Sequence, residues 1–277
     1  MDVKIVVDSA ADLKQFPGVD YSSVPLKILA GEREYVDDAN LDVPGMVADL
    51  KKYTGTSRTA CPSAGEWMEA FEDKQYVFCI TITSGLSGSY NAALVAKDEY
   101  ESMYPDRKVC VVDSLSTGPE MVLIADELNR LIASGLDFET VCTEIAAFKK
   151  RTHLLFMLGS LQNLARNGRV NPAVAKVAGV LGIRIVGKAS DEGTLEPMHK
   201  CRGEKRSLQQ IFELLEGMGY DGRRAYLGHC LNPEAAKQLE TMIRQRWPEA
   251  QLKVHDLGGL CSFYAEETGI LLAFETP

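Results

Sequence analysis

The sequence predicts an α/β protein built on a mostly parallel sheet. Three observations carry that expectation. Short apolar runs alternate with segments of helical periodicity through the first half of the chain, as strands and crossover helices do. The tetrapeptide Val-Val-Asp-Ser occurs at 6–9 and again at 111–114, each time closing an apolar run. The length, 277 residues, suits two α/β domains or one large one.

In order, residues 3–7 read as a buried strand, 24–29 as a second, and 43–52 as a helix. Residues 63–71 read as a helix with Ser63 as N-cap and Glu66 completing a capping box. Residues 76–81 and 108–112 read as strands around a helix at 90–100. Two more helices are expected near 118–134 and 137–150. These elements imply an N-terminal sheet with helices on both faces, in a domain spanning 1–150. A smaller α/β domain, 151–277, begins with a strand at 153–158. A short helix at 160–165 is closed by Asn167-Gly168-Arg169, and a second is expected at 172–180. Strands at 184–186 and 195–200 flank Asp191-Glu192-Gly193, a hairpin turn signal. Helices at 203–218 and 232–245, the latter with an Asn cap, alternate with strands at 224–229 and 252–254. Residues 271–274 end the fold.

Charge excludes some functions. The chain has 30 basic and 39 acidic residues, a formal charge of −9. That argues against nucleic acid and against anionic membrane surfaces, which need a basic face. At first sight it also argues against an anionic ligand. The charge is uneven, however: residues 160–206 hold nine Lys/Arg against four acids, a local +5 that leaves −14 elsewhere. Such a run is either a solvated face or a docking surface for an acidic protein. No apolar stretch is long enough to span a membrane, and the N-terminus lacks the pattern of a secretory signal. The seven cysteines are scattered without a CxxC pair, as expected of reduced thiols in a cytoplasmic protein. The four histidines are equally dispersed, so no metal site is expected.

The segment with most chemistry is Thr81-Ile82-Thr83-Ser84-Gly85-Leu86-Ser87-Gly88-Ser89-Tyr90. It comes after a strand and opens a helix. Glycines permit a tight turn, and the helix N-terminus offers unpaired N–H groups and a positive dipole end. With the hydroxyls of Ser84, Ser87 and Ser89, this is a cradle for a carboxylate or phosphate, or else a serine-capped helix without a ligand. A Walker loop needs Lys where Ser89 stands. A nucleophile elbow needs a glycine two residues after Ser87, and no histidine is identifiable as base. A small-molecule enzyme, either a serine hydrolase or a phosphosugar enzyme using this loop, is the alternative to a binding protein. A second hydroxyl cluster lies at 54–63. Each Asp-Ser pair is a turn or cap at a strand end, or marks where ligands of open α/β sheets bind.

Together these segments resemble the DegV family of bacterial fatty-acid-binding proteins. Val6-Val7-Asp8-Ser9-Ala10-Ala11-Asp12-Leu13 is similar to the family's opening strand and DS-x-x-DL segment. Thr59-Ala60-Cys61-Pro62-Ser63-Ala64-Gly65-Glu66 is similar to its T-S-Q-P-S-x-G-E. Ser84 to Tyr90 matches S-x-L-S-G-[ST]-Y, and Val112-Asp113-Ser114 matches V-[IV]-D-S. Leu161 to Val170 is similar to L-x-x-L-x-x-x-G-R-[IV], and Cys201-Arg202-Gly203-Glu204-Lys205 to V-R-[GT]-x-K.

The resemblance implies two α/β domains with one long-chain fatty acid between them, no other cofactor and no catalytic residue. It assigns Ser87 and Thr59 to the carboxylate, with Ser84 and Gly88 in the same loop. It assigns Arg202 to the surface that meets a partner fatty-acid kinase, which phosphorylates the acid with ATP. The family's His near the C-terminus is absent. Tyr264 is the expected occupant of that position, and its hydroxyl donates one hydrogen bond without a titratable positive charge. Cys61 stands where the family has Gln. The energetics suit such a ligand. Each buried CH₂ contributes about 0.8 kcal/mol, so about 14 to 16 methylenes give on the order of 10 kcal/mol before the costs of association. Small residues at 173–182 either line an acyl slot or form an ordinary core helix.

Overall fold

The computed structural model describes residues 2–13, 15–173, 175 and 182–277. Its first sheet joins β1 (Val3–Asp8), β2 (Asp20–Val24), β6 (Tyr76–Thr81) and β7 (Lys108–Asp113). The order is β2-β1-β6-β7 and every pair is parallel. Parallel strands are covered on both faces, which explains why all six residues of β1 are buried. Ile5, Val7, Phe78 and Ile80 pack under α4 (Pro119–Ala133) and α5 (Phe138–Phe148). The alternate residues Val6, Val77 and Cys79 pack under α2 (Ala64–Phe71) and α3 (Ser89–Met103). Burying one such Ile, Val or Phe stabilises the fold by about 1.5–3 kcal/mol. The capping box at α2 forms as its spacing predicts: Glu66 N donates to Ser63 Oγ at 3.3 Å, and Ser63 N to Glu66 Oε2 at 2.7 Å.

The second sheet has six strands: β8 (Thr152–Leu158), β9 (Ile183–Ala189), β10 (Leu195–Arg202), β11 (Arg224–His229), β12 (Gln251–Asp256) and β13 (Ile270–Glu275). Their order is β10-β9-β8-β13-β11-β12. Only the β11–β12 pair is parallel. The second half is shorter in sequence yet carries the wider sheet, because its edge is an antiparallel hairpin that needs no crossover helix. On one face Leu155, Met157 and Leu227 pack against α7 (Glu204–Gly217) and α8 (Pro233–Arg246). On the other, Leu154, Phe156, Leu158 and Leu271 turn toward α6 (Gln162–Arg166) and α9 (Gly259–Ala265).

The strand expected at 24–29 is divided between two sheets. Val24 ends β2, and after Pro25 and Leu26 the chain enters β3 (Lys27–Ala30), which pairs with β4 (Arg33–Val36) and β5 (Ser57–Ala60). Pro25 has no N–H to continue a ladder, so the apolar run breaks there. Ile28 of this three-stranded sheet and Met46 of α1 (Val43–Lys52) enclose Phe263 of α9. Asn232 takes the N-cap position of α8 without capping it. Its amide instead donates to Glu204 Oε2 and Thr268 O. The helix expected at 172–180, and the acyl-slot reading of 173–182, fall largely outside the described residues.

The two larger sheets share α4, which packs against β1 and β6 and also against β8, β11 and β13. Among the described residues no helix is long and apolar enough to cross a membrane.

Candidate functional site

The loop between β6 and α3 is held by both Val-Val-Asp-Ser repeats. β1 and β7 flank β6 in the sheet, so their final aspartates both face the loop that leaves its carboxyl end. Asp8 Oδ2 accepts from Ile82 N at 2.8 Å and from Ser89 Oγ at 2.7 Å. Asp113 Oδ1 accepts from Ser84 N at 3.1 Å and from Leu115 N at 3.0 Å. Burial pushes the Asp8 carboxyl up to about 7, although the bonds from Ser89 and Ile82 oppose this. Ser9 does not cap a helix either; its Oγ accepts from Leu26 N.

The glycines of this loop serve close approach. Neither Gly85 nor Gly88 has a positive φ. A Cβ on Gly85 would lie 2.9 Å from the Glu192 carbonyl oxygen, at the tip of the β9–β10 hairpin. That tip is joined to the loop by Thr83 Oγ1, which donates to Gly193 O at 2.8 Å. Gly193 itself has φ +72°, and a Cβ there would meet Thr83 Oγ1 at 2.0 Å.

Between the first sheet's loops and the inner face of the second lies a cavity of about 320 Å³. Thr59, Ser87, Gly88 and Tyr264 line it together, as do Cys61 and Arg169. Thr59 and Tyr264 share a hydroxyl–hydroxyl hydrogen bond of 2.8 Å. Burial raises the Tyr264 phenol above its ordinary value, so it is neutral near pH 7 and able to donate. Ser87 Oγ accepts from Ser89 N at 3.3 Å at the start of α3. The rest of the wall is mainly apolar, with Leu154, Phe156 and Leu158 of β8, Leu260 of α9 and Leu271 of β13.

Tyr264 is positioned by two contacts. Buried Asp37 accepts from Gly259 N at 2.7 Å and Leu260 N at 2.9 Å, fixing the start of α9. Asn163 Nδ2 donates to Phe263 O at 2.8 Å, tying α9 to α6 just beyond the end of β8. The hydroxyl end of the cavity therefore lies near Leu158.

Ser84 does not join this group. It is exposed, its N–H is spent on Asp113, and it does not line the cavity. Arg169, read from sequence as part of a helix stop, of the basic run and of the G-R-[IV] match but not as a site residue, does line it, with Nε donating to Leu86 O at 3.0 Å. Its sequence signal is its place as the Arg directly after Gly168 in the segment similar to L-x-x-L-x-x-x-G-R-[IV]. Arg202 lies outside the cavity, exposed at the end of β10. Strand register sets its level: Leu158 pairs with Ile185 and Ile185 with Lys200, whereas Leu155 pairs with Lys188 and Lys188 with Glu196. Arg202 thus stands at the hydroxyl end. Lys200, Lys205 and Arg206 are also exposed, and none of the four has an ion-pair partner among the described residues. Arg184 and Lys188 of the same basic stretch are paired, with Glu204 and Glu196.

The chain resembles several known proteins over its whole length. A DegV domain-containing protein of Streptococcus pneumoniae is 42% identical, with 99% of each chain covered. A DegV family protein from Eubacterium eligens, solved loaded with heptadecanoic acid, superposes with a TM-score of 0.97 at 43% identity, covering 99% of this chain and 100% of that one. The Streptococcus pneumoniae Fatty Acid Kinase (Fak) B3 protein, solved with linoleic acid, superposes with a TM-score of 0.98 at 42% identity, with both chains fully covered. A family model described as "Uncharacterised protein, DegV family" matches residues 2–275. This chain belongs to the DegV family.

Proposed function

We propose that this protein binds one long-chain fatty acid, with the tail in the apolar cavity and the carboxylate at its hydroxyl end. The observation that carries the reading is the asymmetry of the cavity. One end offers Ser87, the Thr59–Tyr264 pair and Arg169, and the remaining wall is mainly aliphatic and aromatic. A carboxylate needs hydrogen-bond donors and a favourable dipole; a tail needs burial. Either hydroxyl of the Thr59–Tyr264 pair can donate to the other, so one hydroxyl proton of the pair is left for the acid. The fatty-acid-loaded relatives from Eubacterium eligens and Streptococcus pneumoniae support this ligand class.

The role is that of a carrier rather than an enzyme. Among the described residues no histidine, aspartate or glutamate lines the cavity, so Ser87 lacks the base that a serine hydrolase needs. The apolar wall is equally ill suited to a phosphosugar. The similarity to a fatty-acid-kinase binding protein supports presentation of the acid to an ATP-using kinase, hence inside the cell. Arg202 and its exposed basic neighbours, level with the hydroxyl end, form the docking face in this reading. The chain divides near residue 150, with the acid between the two parts.

Native mass spectrometry of protein extracted from cells tests the ligand. The expected result is a bound mass matching a long-chain acid, with at least tenfold lower occupancy in the Thr59→Ala, Ser87→Ala double variant. Protein that takes up no added fatty acid would sink the reading. Arg202→Glu is expected to lower turnover by the kinase at least tenfold while occupancy stays unchanged.

A further inference from the structure

A second chamber, of about 440 Å³, adjoins the acyl cavity. Leu115, Leu154 and Ala189 line both. It lies at the far end from the hydroxyls, since Leu154 begins the stretch of β8 that runs to Leu158, a distance of roughly 13 Å. Its character is polar. Ser114, Glu120, Lys149, Thr152, His153 and Ser190 contribute, and Lys150 and Asp191 stand exposed at its rim. Glu120 is buried and accepts from Thr152 Oγ1 at 2.7 Å. Lys149 Nζ donates to the Asp113 carbonyl.

The wall between the two spaces is unusual. Leu115 has φ +54°, a left-handed conformation rare for a branched side chain. Asp113 Oδ1 holds it through Leu115 N, and Ser114 Oγ bridges it by accepting from Ser116 N at 3.0 Å and donating to Ser116 O at 2.9 Å. Strain maintained in this way costs of order 1–3 kcal/mol and concentrates where function needs a particular shape.

Building on the fatty-acid reading, we propose that the tail passes between Leu115, Leu154 and Ala189, and that the polar chamber receives a hydroxyl at its far end. The ligand class is then extended to ω-hydroxy long-chain acids. A closed apolar slot would bury such a hydroxyl unpaired and weaken binding by about 5- to 150-fold. Here the hydroxyl meets Glu120, Lys149, His153 and solvent entering at the rim.

The test compares 16-hydroxyhexadecanoic acid with hexadecanoic acid by calorimetric titration of delipidated protein. Dissociation constants within fivefold of each other are expected. A loss greater than fivefold for the hydroxy acid, with hexadecanoic acid still bound, overturns this inference alone. Failure to bind hexadecanoic acid overturns the fatty-acid reading as well. Glu120→Leu makes the chamber less polar and is expected to widen the ratio of the two constants at least fivefold, a ratio in which general loss of stability cancels. His153→Leu is expected to act in the same direction and serves if the first variant does not fold. An unchanged ratio in a folded variant counts against the chamber as the receiving site.

Discussion

At the scale of single residues, the site combines neutral donors with one cation. Tyr264→Phe removes a hydroxyl whose partner, Thr59, also lines the cavity. Occupancy is expected to fall about 2- to 10-fold, the worth of one hydrogen bond, as read by titration with hexadecanoic acid. Asp8 makes a second prediction. Its folded-state pKa is raised to about 7 from an ordinary 3.8. The native state therefore holds a proton that the unfolded chain releases, and Asp8 makes stability fall as pH rises from about 4 to about 7. Asp8→Asn keeps an acceptor for Ile82 N and Ser89 Oγ, so urea midpoints of the variant should lose this part of the decline. A variant profile parallel to wild type would refute it. That Ser87 and Gly88 line the cavity is legible in the sequence because hydroxyls and glycines cluster where a strand meets a helix, whereas Thr59 is singled out only by the family resemblance. Arg169 stands out only as the Arg of the G-R-[IV] match; its place at the cavity is not legible, because it depends on the carbonyl of Leu86, far away in sequence. Ser84 misleads for a related reason: the alternation of serines is local, and only the fold decides which of them faces the cavity.

At the scale of elements, the cavity depends on two fastenings. The first is Asp37 at the start of α9. Asp37→Ala leaves two buried N–H groups unpaired and is expected to cost about 1–3 kcal/mol, with ligand occupancy falling because α9 carries Tyr264. Chemical denaturation and titration of the same variant check both halves of the claim. The second is the β9–β10 hairpin tip. Gly193→Ala forces a Cβ onto Thr83 and an L-residue into φ +72°, for an expected loss of about 1–3 kcal/mol. The parallel-sheet elements are readable in advance because each strand and helix signals itself locally, as the Ser63–Glu66 box does. The three-stranded sheet is harder. Ser-Arg-Thr-Ala of β5 has no apolar alternation, since it is a short edge strand whose partner, β3, lies about thirty residues earlier.

At the scale of the whole molecule, α4 is shared by the two larger sheets, and an ion cluster strengthens the junction. Arg224 of β11 reaches Glu127 of α4 and Glu275 of β13, each at 2.7 Å. Both carboxylates are nearly buried. Arg224→Met leaves Glu275 without a cation and Glu127 with Arg130 alone, and is expected to cost about 3–5 kcal/mol, measured by denaturation of the full chain. Cooperation across this junction also predicts one thermal transition by calorimetry rather than two; two separated transitions would show that the halves fold independently. The position of this junction is not legible in the sequence, because Glu127 reads as an ordinary helix-face acid until its partner, about a hundred residues later, is known. The paired strand-end aspartates have a consequence for kinetics. Because Asp8 and Asp113 shape the donor loop through its own backbone, its geometry is established as the sheet assembles and does not await the arriving acid. Capture then requires little reordering at the head-group end, so its speed should be governed by how the tail enters the protein rather than by how the carboxylate is seated.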